Sequence, residues 1–311
     1  MGETLHGTHG TYVIDGSMGR GSKFGGVMTA TDDVGGRVTV KALERHGEGL
    51  LGVLKRLKAI KRPDVAEVRD VFTGDDGRLY VVRSMVVGTD LKTIFANKKV
   101  YGKIDEDQFL RMGCAVLRAL EAVHAAGVIH RDIKPSNIII RHTDAADLTK
   151  CDMSQVALID FEQGQVFPPD GQARSQFSLI YSPPEMLLKH NELVGPQADI
   201  FALATTIYHM VMGKTPYTDC NPEVLINLQL TYPMKKPARM TDELFGVLSK
   251  AAYKASFRLP PRRLSAEEVE RTLRSGVEGR YSTAAEMLRD LEAVPHALKP
   301  ATWWQRALGD K

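Results

Sequence analysis

The spacing of hydrophobic and polar positions changes part-way along the chain. Up to residue 87 the apolar residues fall in short, β-branched or aromatic runs: Tyr12-Val13-Ile14, Val27 to Ala30, Val38-Thr39-Val40, Val68 to Phe72 and Leu79 to Val82. Runs of this length and composition predict strands. Asp32-Asp33-Val34-Gly35-Gly36 and Gly74-Asp75-Asp76-Gly77 lie between runs and predict hairpin loops. Leu50, Leu54, Leu57 and Ile60 recur at helical spacing, so this part predicts a small antiparallel sheet carrying one helix. From Thr89 onward the helical period dominates. Phe109, Met112, Val116, Leu120 and Val123 form one stripe, closed by Gly127, a residue suited to end a helix. Ile200 to Met212 is apolar almost all round and too short to span a bilayer, which predicts a buried core helix. Further helices are predicted over 242–252 and 283–293. The fold class is α+β.

Composition narrows the function classes. A chain of 311 residues has room for two lobes, and 43% hydrophobic with 25% charged residues is ordinary for a globular protein. A net charge of +3 gives no reason to expect nucleic acid or a membrane surface as partner. Cys114, Cys151 and Cys220 lie far apart with no metal-type spacing, which predicts reduced thiols. Met1 to Gly10 is polar and glycine-rich, unlike a signal peptide, and no apolar run is long enough for a membrane span. The expectation is a soluble, cytoplasmic protein.

Chemistry concentrates in His130-Arg131-Asp132-Ile133-Lys134-Pro135-Ser136-Asn137, flanked by Ile138-Ile139-Ile140. An acid able to accept a hydroxyl proton, a lysine two residues on and an asparagine placed for a metal suit phosphoryl transfer, which needs positioning and charge neutralisation. With this octet in that layout, the chain resembles the eukaryotic-type Ser/Thr protein kinase family over about residues 12 to 293. The resemblance implies a bilobal kinase-like fold: an N-terminal tail over 1–11, a sheet-plus-helix lobe over 12–87, a mainly helical lobe over 88–294 and a C-terminal tail over 295–311. That tail carries Trp303 and Trp304.

The resemblance also implies roles, residue by residue. Gly19, Gly21 and Gly25, with Val27, resemble the glycine-rich loop over the ATP phosphates, the third glycine arriving one residue late. Val38-Thr39-Val40-Lys41 resembles the strand whose lysine meets the α- and β-phosphates. Leu79 to Gly88 resembles the strand and hinge that hold adenine, through Ser84 and Val86, with Arg83 at a position usually apolar. Asp132 is then the base or orienting group for the substrate hydroxyl, and Lys134 neutralises charge on the γ-phosphoryl group. Asn137 and Asp160 would bind Mg²⁺. Leu158-Ile159-Asp160-Phe161-Glu162 stands where Asp-Phe-Gly is expected, with Glu162 in place of the glycine. Ser178 to Glu185 resembles the end of an activation segment, Glu185 pairing with Arg280 and Asp199 bracing the catalytic loop. Arg131 suggests ordering by phosphorylation, with Ser175 and Ser178 as candidate sites.

The helix acid that normally pairs with the strand lysine is not evident. Val53 falls near its place, and Glu162 or Glu48 is expected to partner Lys41 instead. The leading reading is a Ser/Thr protein kinase that moves the γ-phosphoryl group of Mg-ATP to a protein substrate, with self-association as a route to autophosphorylation in trans. A pseudokinase serving as a binding or scaffold module is the alternative, favoured by Arg83, Glu162 and the missing helix acid. A small-molecule phosphotransferase is disfavoured by Lys134-Pro135 and Pro183-Pro184-Glu185.

Overall fold

Alternation of buried and exposed positions builds the first layer. In the computed structural model, which describes residues 3–18, 26–43, 49–142, 148–168 and 178–299, strands β1 (Thr4–His6), β2 (Thr11–Met18), β3 (Val27–Asp32) and β4 (Arg37–Leu43) precede helix α1 (Gly49–Lys58). Strands β5 (Val68–Thr73) and β6 (Leu79–Ser84) complete an antiparallel sheet in the order β1-β2-β3-β4-β6-β5. One face packs Tyr12, Val38, Val40, Phe72, Tyr80 and Val82 together, with Phe72 stacked on Tyr80 at 5.3 Å. On the other face Leu50, Val53, Leu54 and Leu57 of α1 join Val68, Leu79 and Val81 in the main core.

The first residues correct the expectation of a tail over 1–11. Thr4, Leu5 and His6 pair with Val13, Tyr12 and Thr11, adding an edge strand. Buried Asp70 fixes this hairpin, accepting from the His9 amide and bonding the His9 ring, both at 2.8 Å, and accepting from the Tyr12 hydroxyl at 3.1 Å. Burial alone would raise the Asp70 carboxyl; the bonds from His9, Val71 and Tyr12 outweigh it and hold it below its ordinary value. The three-residue strand Thr4-Leu5-His6 is thus held in a hairpin whose turn and second strand are anchored on residue 70.

Beyond β6 the chain crosses to the second lobe in residues 85–87 and is caught again by β7 (Gly88–Asp90). Helices α2 (Leu91–Ala96), α3 (Lys98–Tyr101) and α4 (Glu106–Ala125) follow, then β8 (Val128–Ile129), β9 (Ile138–Arg141), β10 (Val156–Leu158) and β11 (Gln165–Val166). Strand β9 lies between β7 and β10, while β11 pairs with β8. At Gly88 the backbone passes so close to β9 that a Cβ would lie 2.2 Å from the Ile140 carbonyl oxygen. A second stitch between the lobes runs through residues 64–66. The Leu158 amide donates to the Asp64 carbonyl, and the Ala66 amide to the Leu158 carbonyl, both at 2.9 Å. A third, longer contact joins Arg56 of α1 to the Ala126 and Gly127 carbonyls at 3.3 and 3.2 Å.

The helical lobe is completed by α5 (Pro184–Leu187), α6 (Pro196–Met212), α7 (Pro222–Thr231), α8 (Asp242–Ala251), α9 (Ala266–Glu278) and α10 (Ala284–Glu292). Helix α6 is buried over most of its length, and its Ile200, Leu203, Ala204 and Ile207 pack in one core with Met112, Val116 and Leu120 of α4. The body does not end at 294. Ala297 is fully buried and Leu298 bridges to Met240, so the expected C-terminal tail begins no earlier than residue 300; Trp303 and Trp304 lie outside the described residues. Among the described residues no helix is long and apolar enough to cross a membrane.

Two buried acids organise this lobe. Asp199, in the first turn of α6, accepts from the backbone amides of His130 and Arg131 at 2.8 Å each and meets His124 Nε2 at 2.9 Å. Burial pushes the Asp199 carboxyl up, but the bond and charge of His124, with His130, outweigh it and hold it below the ordinary value. Glu185 of α5 and Arg280 form a two-pronged pair at 2.6 and 3.0 Å, both side chains 1% exposed. Arg280 also donates to the Tyr253 carbonyl and lies over the Phe201 ring.

Removing one member of a buried ion pair strands the other charge, so Arg280→Met should lose about 3–5 kcal/mol in urea unfolding. Asp199→Asn should lose about 1.5–3 kcal/mol at neutral pH, as expected for bonds to a charged acceptor. Because the folded carboxyl titrates below the unfolded one, this difference should persist above pH ~4 and vanish as the pH falls through the folded value. Unfolding curves of both proteins across acidic pH check the sign.

Candidate active site

The loop between β8 and β9 is shaped by backbone strain and by the acids that relieve it. Arg131 takes φ = 66°, and Asp160, just past β10, takes φ = 64°; both are left-handed for residues with a Cβ. The two amides that Asp199 captures belong to residues 130 and 131, so the strain at Arg131 is held by a fully buried acceptor. His130 bonds the Ile159 carbonyl through Nε2 at 2.9 Å and packs on Phe161 with ring centroids 4.3 Å apart. The two candidate loops, one carrying Asp132 and the other Asp160, are therefore locked together.

Around Asp132 the structure gathers three polar side chains, Asn137, Lys134 and Ser178. Asn137 donates to the Asp132 carbonyl at 2.8 Å and to its Oδ2 at 2.9 Å. Lys134 Nζ stands 2.6 Å from Asp132 Oδ2 and donates to the Ser178 hydroxyl at 2.8 Å. The Ser178 hydroxyl donates to Asp132 Oδ1 at 2.6 Å. Asp132 is 7% exposed, enough to meet a small group at the cleft and too little to be a solvated surface acid. Ser178 and Lys134 also border a groove of about 610 Å³ with Phe95, Ile180, Tyr181, Met210 and Leu225 on its apolar sides.

Between the lobes lies a second cavity of about 300 Å³. Val27, Ala66, Val86, Ile139 and Ile159 form its apolar walls; Thr39, Lys41, Arg83, Ser84, Asp160 and Glu162 supply its polar groups. An apolar slot with a few convergent polar groups is what a flat heterocycle with a charged tail needs. Lys41 Nζ bonds Glu162 Oε2 at 2.5 Å and stands 3.7 Å from Asp160 Oδ1. Arg83 Nη2 stands 3.8 Å from Glu162 Oε1. Burial would raise Asp160, but Lys41 and Arg83 outweigh it and hold its carboxyl below the ordinary value. Burial and the neighbouring Asp160 charge push Glu162 up, against the pull of Lys41 and Arg83.

The expected site residues are placed as follows. Asp132, Lys134 and Asn137 converge at one end of the cleft; Val27, Lys41, Ser84, Val86 and Asp160 line the cavity. Gly19, Gly21 and Gly25 lie outside the described residues, as do Glu44, Glu48 and Ser175. Asp160 and Asn137 offer one carboxylate and one amide oxygen. This hard-oxygen set fits Mg²⁺, which takes one or two protein ligands and completes its shell with phosphate and water.

Sequence reading did not anticipate the partners of Arg131. Its guanidinium donates to Gln165 Oε1 at 2.5 Å and to Asn191 Oδ1 at 2.8 Å. It also did not anticipate that Arg83 and Glu162 meet. Each was recognisable as out of pattern, which was the one available signal.

Comparison with known proteins agrees with this geometry. The family model described as Protein kinase domain matches residues 12–271. The chain is similar to Serine/threonine-protein kinase PkaB of Streptomyces coelicolor, 28% identical over 85% of this chain and 62% of that protein. It is also similar to Sperm motility kinase 3A of Mus musculus, 25% identical over 79% of this chain and 46% of that protein. Serine/threonine-protein kinase PknF of Mycobacterium tuberculosis is 32% identical over 50% of this chain and 32% of its own length. The chain thus spans less than two thirds of the length of these curated relatives. Two of these relatives are named serine/threonine-protein kinases, and with a domain match across most of its length the chain belongs to the protein kinase family.

Proposed function

We propose that this chain is a Ser/Thr protein kinase that transfers the γ-phosphoryl group of Mg-ATP to a serine or threonine hydroxyl of a protein substrate. The observation that carries the reading is the Asp132, Lys134, Ser178 and Asn137 cluster, of which Lys134 and Ser178 border the apolar groove. Asp132 accepts the hydroxyl proton, and Asn137 fixes its carboxylate by donating to Oδ2. Lys134, already beside Asp132, is a cation for the charge that builds on the transferred group. Ser178 ties both to the floor of the groove, so a peptide lying there presents its hydroxyl to Asp132. Asp160 and Asn137 would hold the Mg²⁺, which supplies charge neutralisation at the phosphates when bound.

A second reading, a pseudokinase acting as a binding module, draws on one observation. Lys41, the cation meant for phosphate, is bonded to Glu162.

Transfer of labelled γ-phosphate to the chain itself and to a generic Ser/Thr substrate separates the two. Asp132→Asn should lower transfer at least about 100-fold, the usual size of a general-base contribution, while leaving the thermal shift caused by Mg-ATP in place. A folded wild-type protein without transfer but with that shift would turn the assignment to the binding module.

A further inference from the structure

Arg83 and Glu162 are distant in sequence, each unusual at its position, and they meet in the back of the interlobe cavity. Their side chains are 11% and 12% exposed. The two oxygens of the Glu162 carboxylate face different cations: Oε2 takes Lys41 at 2.5 Å, and Oε1 faces Arg83 Nη2 at 3.8 Å. Among the described residues, Arg83 Nε and Nη2 and Glu162 Oε1 are buried without a closer hydrogen-bond partner. Buried polar atoms of this kind carry a desolvation cost, and a charge partner across a short gap is the compensation at hand.

Charge balance explains why the two belong together. Asp160 and Glu162 place two carboxylates beside one another, and Lys41 alone offsets one of them. Arg83 makes the cluster neutral, two acids against two bases. Helix α1 meanwhile docks on the segment behind Glu162 by close apolar contact. A Cβ on Gly164 would lie 3.1 Å from Val53 Cγ1, and one on Gly52 3.2 Å from Val166 Cγ2. Val53 is fully buried there, so this turn of α1 packs through hydrocarbon and carries no acid at that position.

We propose that Arg83, Glu162 and Lys41 form a positioning relay: Arg83 holds Glu162, and Glu162 holds Lys41 at the height where nucleotide phosphates arrive. The frame of reference for Lys41 is then β6 on one lobe and the residues after β10 on the other. Arg83 is a positioning residue acting through Glu162 and does not read the nucleotide itself. The inference rests on the kinase reading above.

The test compares wild type with Glu162→Gln, Glu162→Asp, Arg83→Met and the Glu162→Gln/Arg83→Met double variant. Three readouts apply: thermal unfolding without nucleotide, direct binding of Mg-ATP, and steady-state transfer resolved into kcat and KM. Glu162→Gln should lower kcat/KM about tenfold or more, the scale of a lost charge-assisted bond, with kcat carrying most of the loss. Glu162→Asp should recover part of it, and Arg83→Met should fall in the same direction by less. The double variant should be no worse than Glu162→Gln alone in kcat/KM, and its melting temperature should show the same non-additivity without nucleotide. Additive losses would mean that Arg83 acts on its own, and tighter Mg-ATP binding by Glu162→Gln would mean that Glu162 withholds Lys41; either overturns the relay. Unchanged variants of a working wild type would overturn the relay alone. A wild type that neither binds Mg-ATP nor transfers phosphate would overturn the kinase reading and the relay with it.

Discussion

The carboxylate of Asp199 sets the geometry on which both halves of the cleft depend. It sits fully buried in the first turn of a helix that is itself the centre of the lower core, so its position is fixed by packing on all sides. From there it captures two consecutive amides of a loop that would otherwise not adopt a left-handed arginine. His130, whose amide is one of the two, leans on Phe161 and bonds the carbonyl before Asp160. A single acid thereby refers Asp132 and, through one ring contact, Asp160 to the same rigid helix. The hydrophobic core supplies the rigidity, and one ionised group passes it on to a polar loop.

The two ends of the cleft solve their electrostatic problem differently. Around Asp132 one acid is surrounded by donors, Asn137, Lys134 and Ser178, so its charge is hydrogen-bonded on both oxygens. In the interlobe cavity two acids and two bases face one another at 2.5 to 3.8 Å with few neutral donors between them. The first arrangement fixes an orientation. The second fixes a sum of charges more than an orientation. The apolar contact between α1 and residues 164–166 joins that helix to the segment after Glu162 without drawing on either pair.

What could be read from the chain divides along sequence distance. The octet at 130–137 was legible because its acid, lysine and asparagine are close neighbours in sequence, and the fold brings them to one point. The sheet and its hairpins were legible from alternation and Asp-Gly punctuation, and α6 from its uniform apolarity. Glu162 as a partner for Lys41 followed from an acid out of place near a cation in need. Strand β1 was missed because three residues, Thr4-Leu5-His6, are too few to show a period, and Asp70, which secures the hairpin, is far along the chain. Helix α9 was passed over although Ser265 and Glu268 form a full capping box and only Val269, Leu273 and Gly276 are buried. Helix α7 is almost as apolar on its outer face as on its inner one, so periodicity gave it little mark; its start was signalled by Asn221 and Pro222. The meeting of Arg83 with Glu162 is a tertiary fact with no local trace beyond the oddity of each residue.

The two backbone stitches between the lobes also determine how the molecule can breathe. One is the crossing at 85–87, gripped on its far side by β7 against β9; the other is the pair of amide bonds between residues 64–66 and Leu158. Two fixed points define a line, and rotation about that line is the motion both permit without breaking. Sliding or twisting of one lobe across the other would tear the Leu158 bonds. Lying apart from both stitches, the contact of Arg56 with the Ala126 and Gly127 carbonyls is long and solvent-exposed, so it opens more readily than the Lys41–Glu162 bond or the apolar docking of α1 on residues 164–166, which also join the lobes. The cleft accordingly resembles a door on two hinges, with the Lys41–Glu162 bond and the docking of α1 on residues 164–166 as its latch.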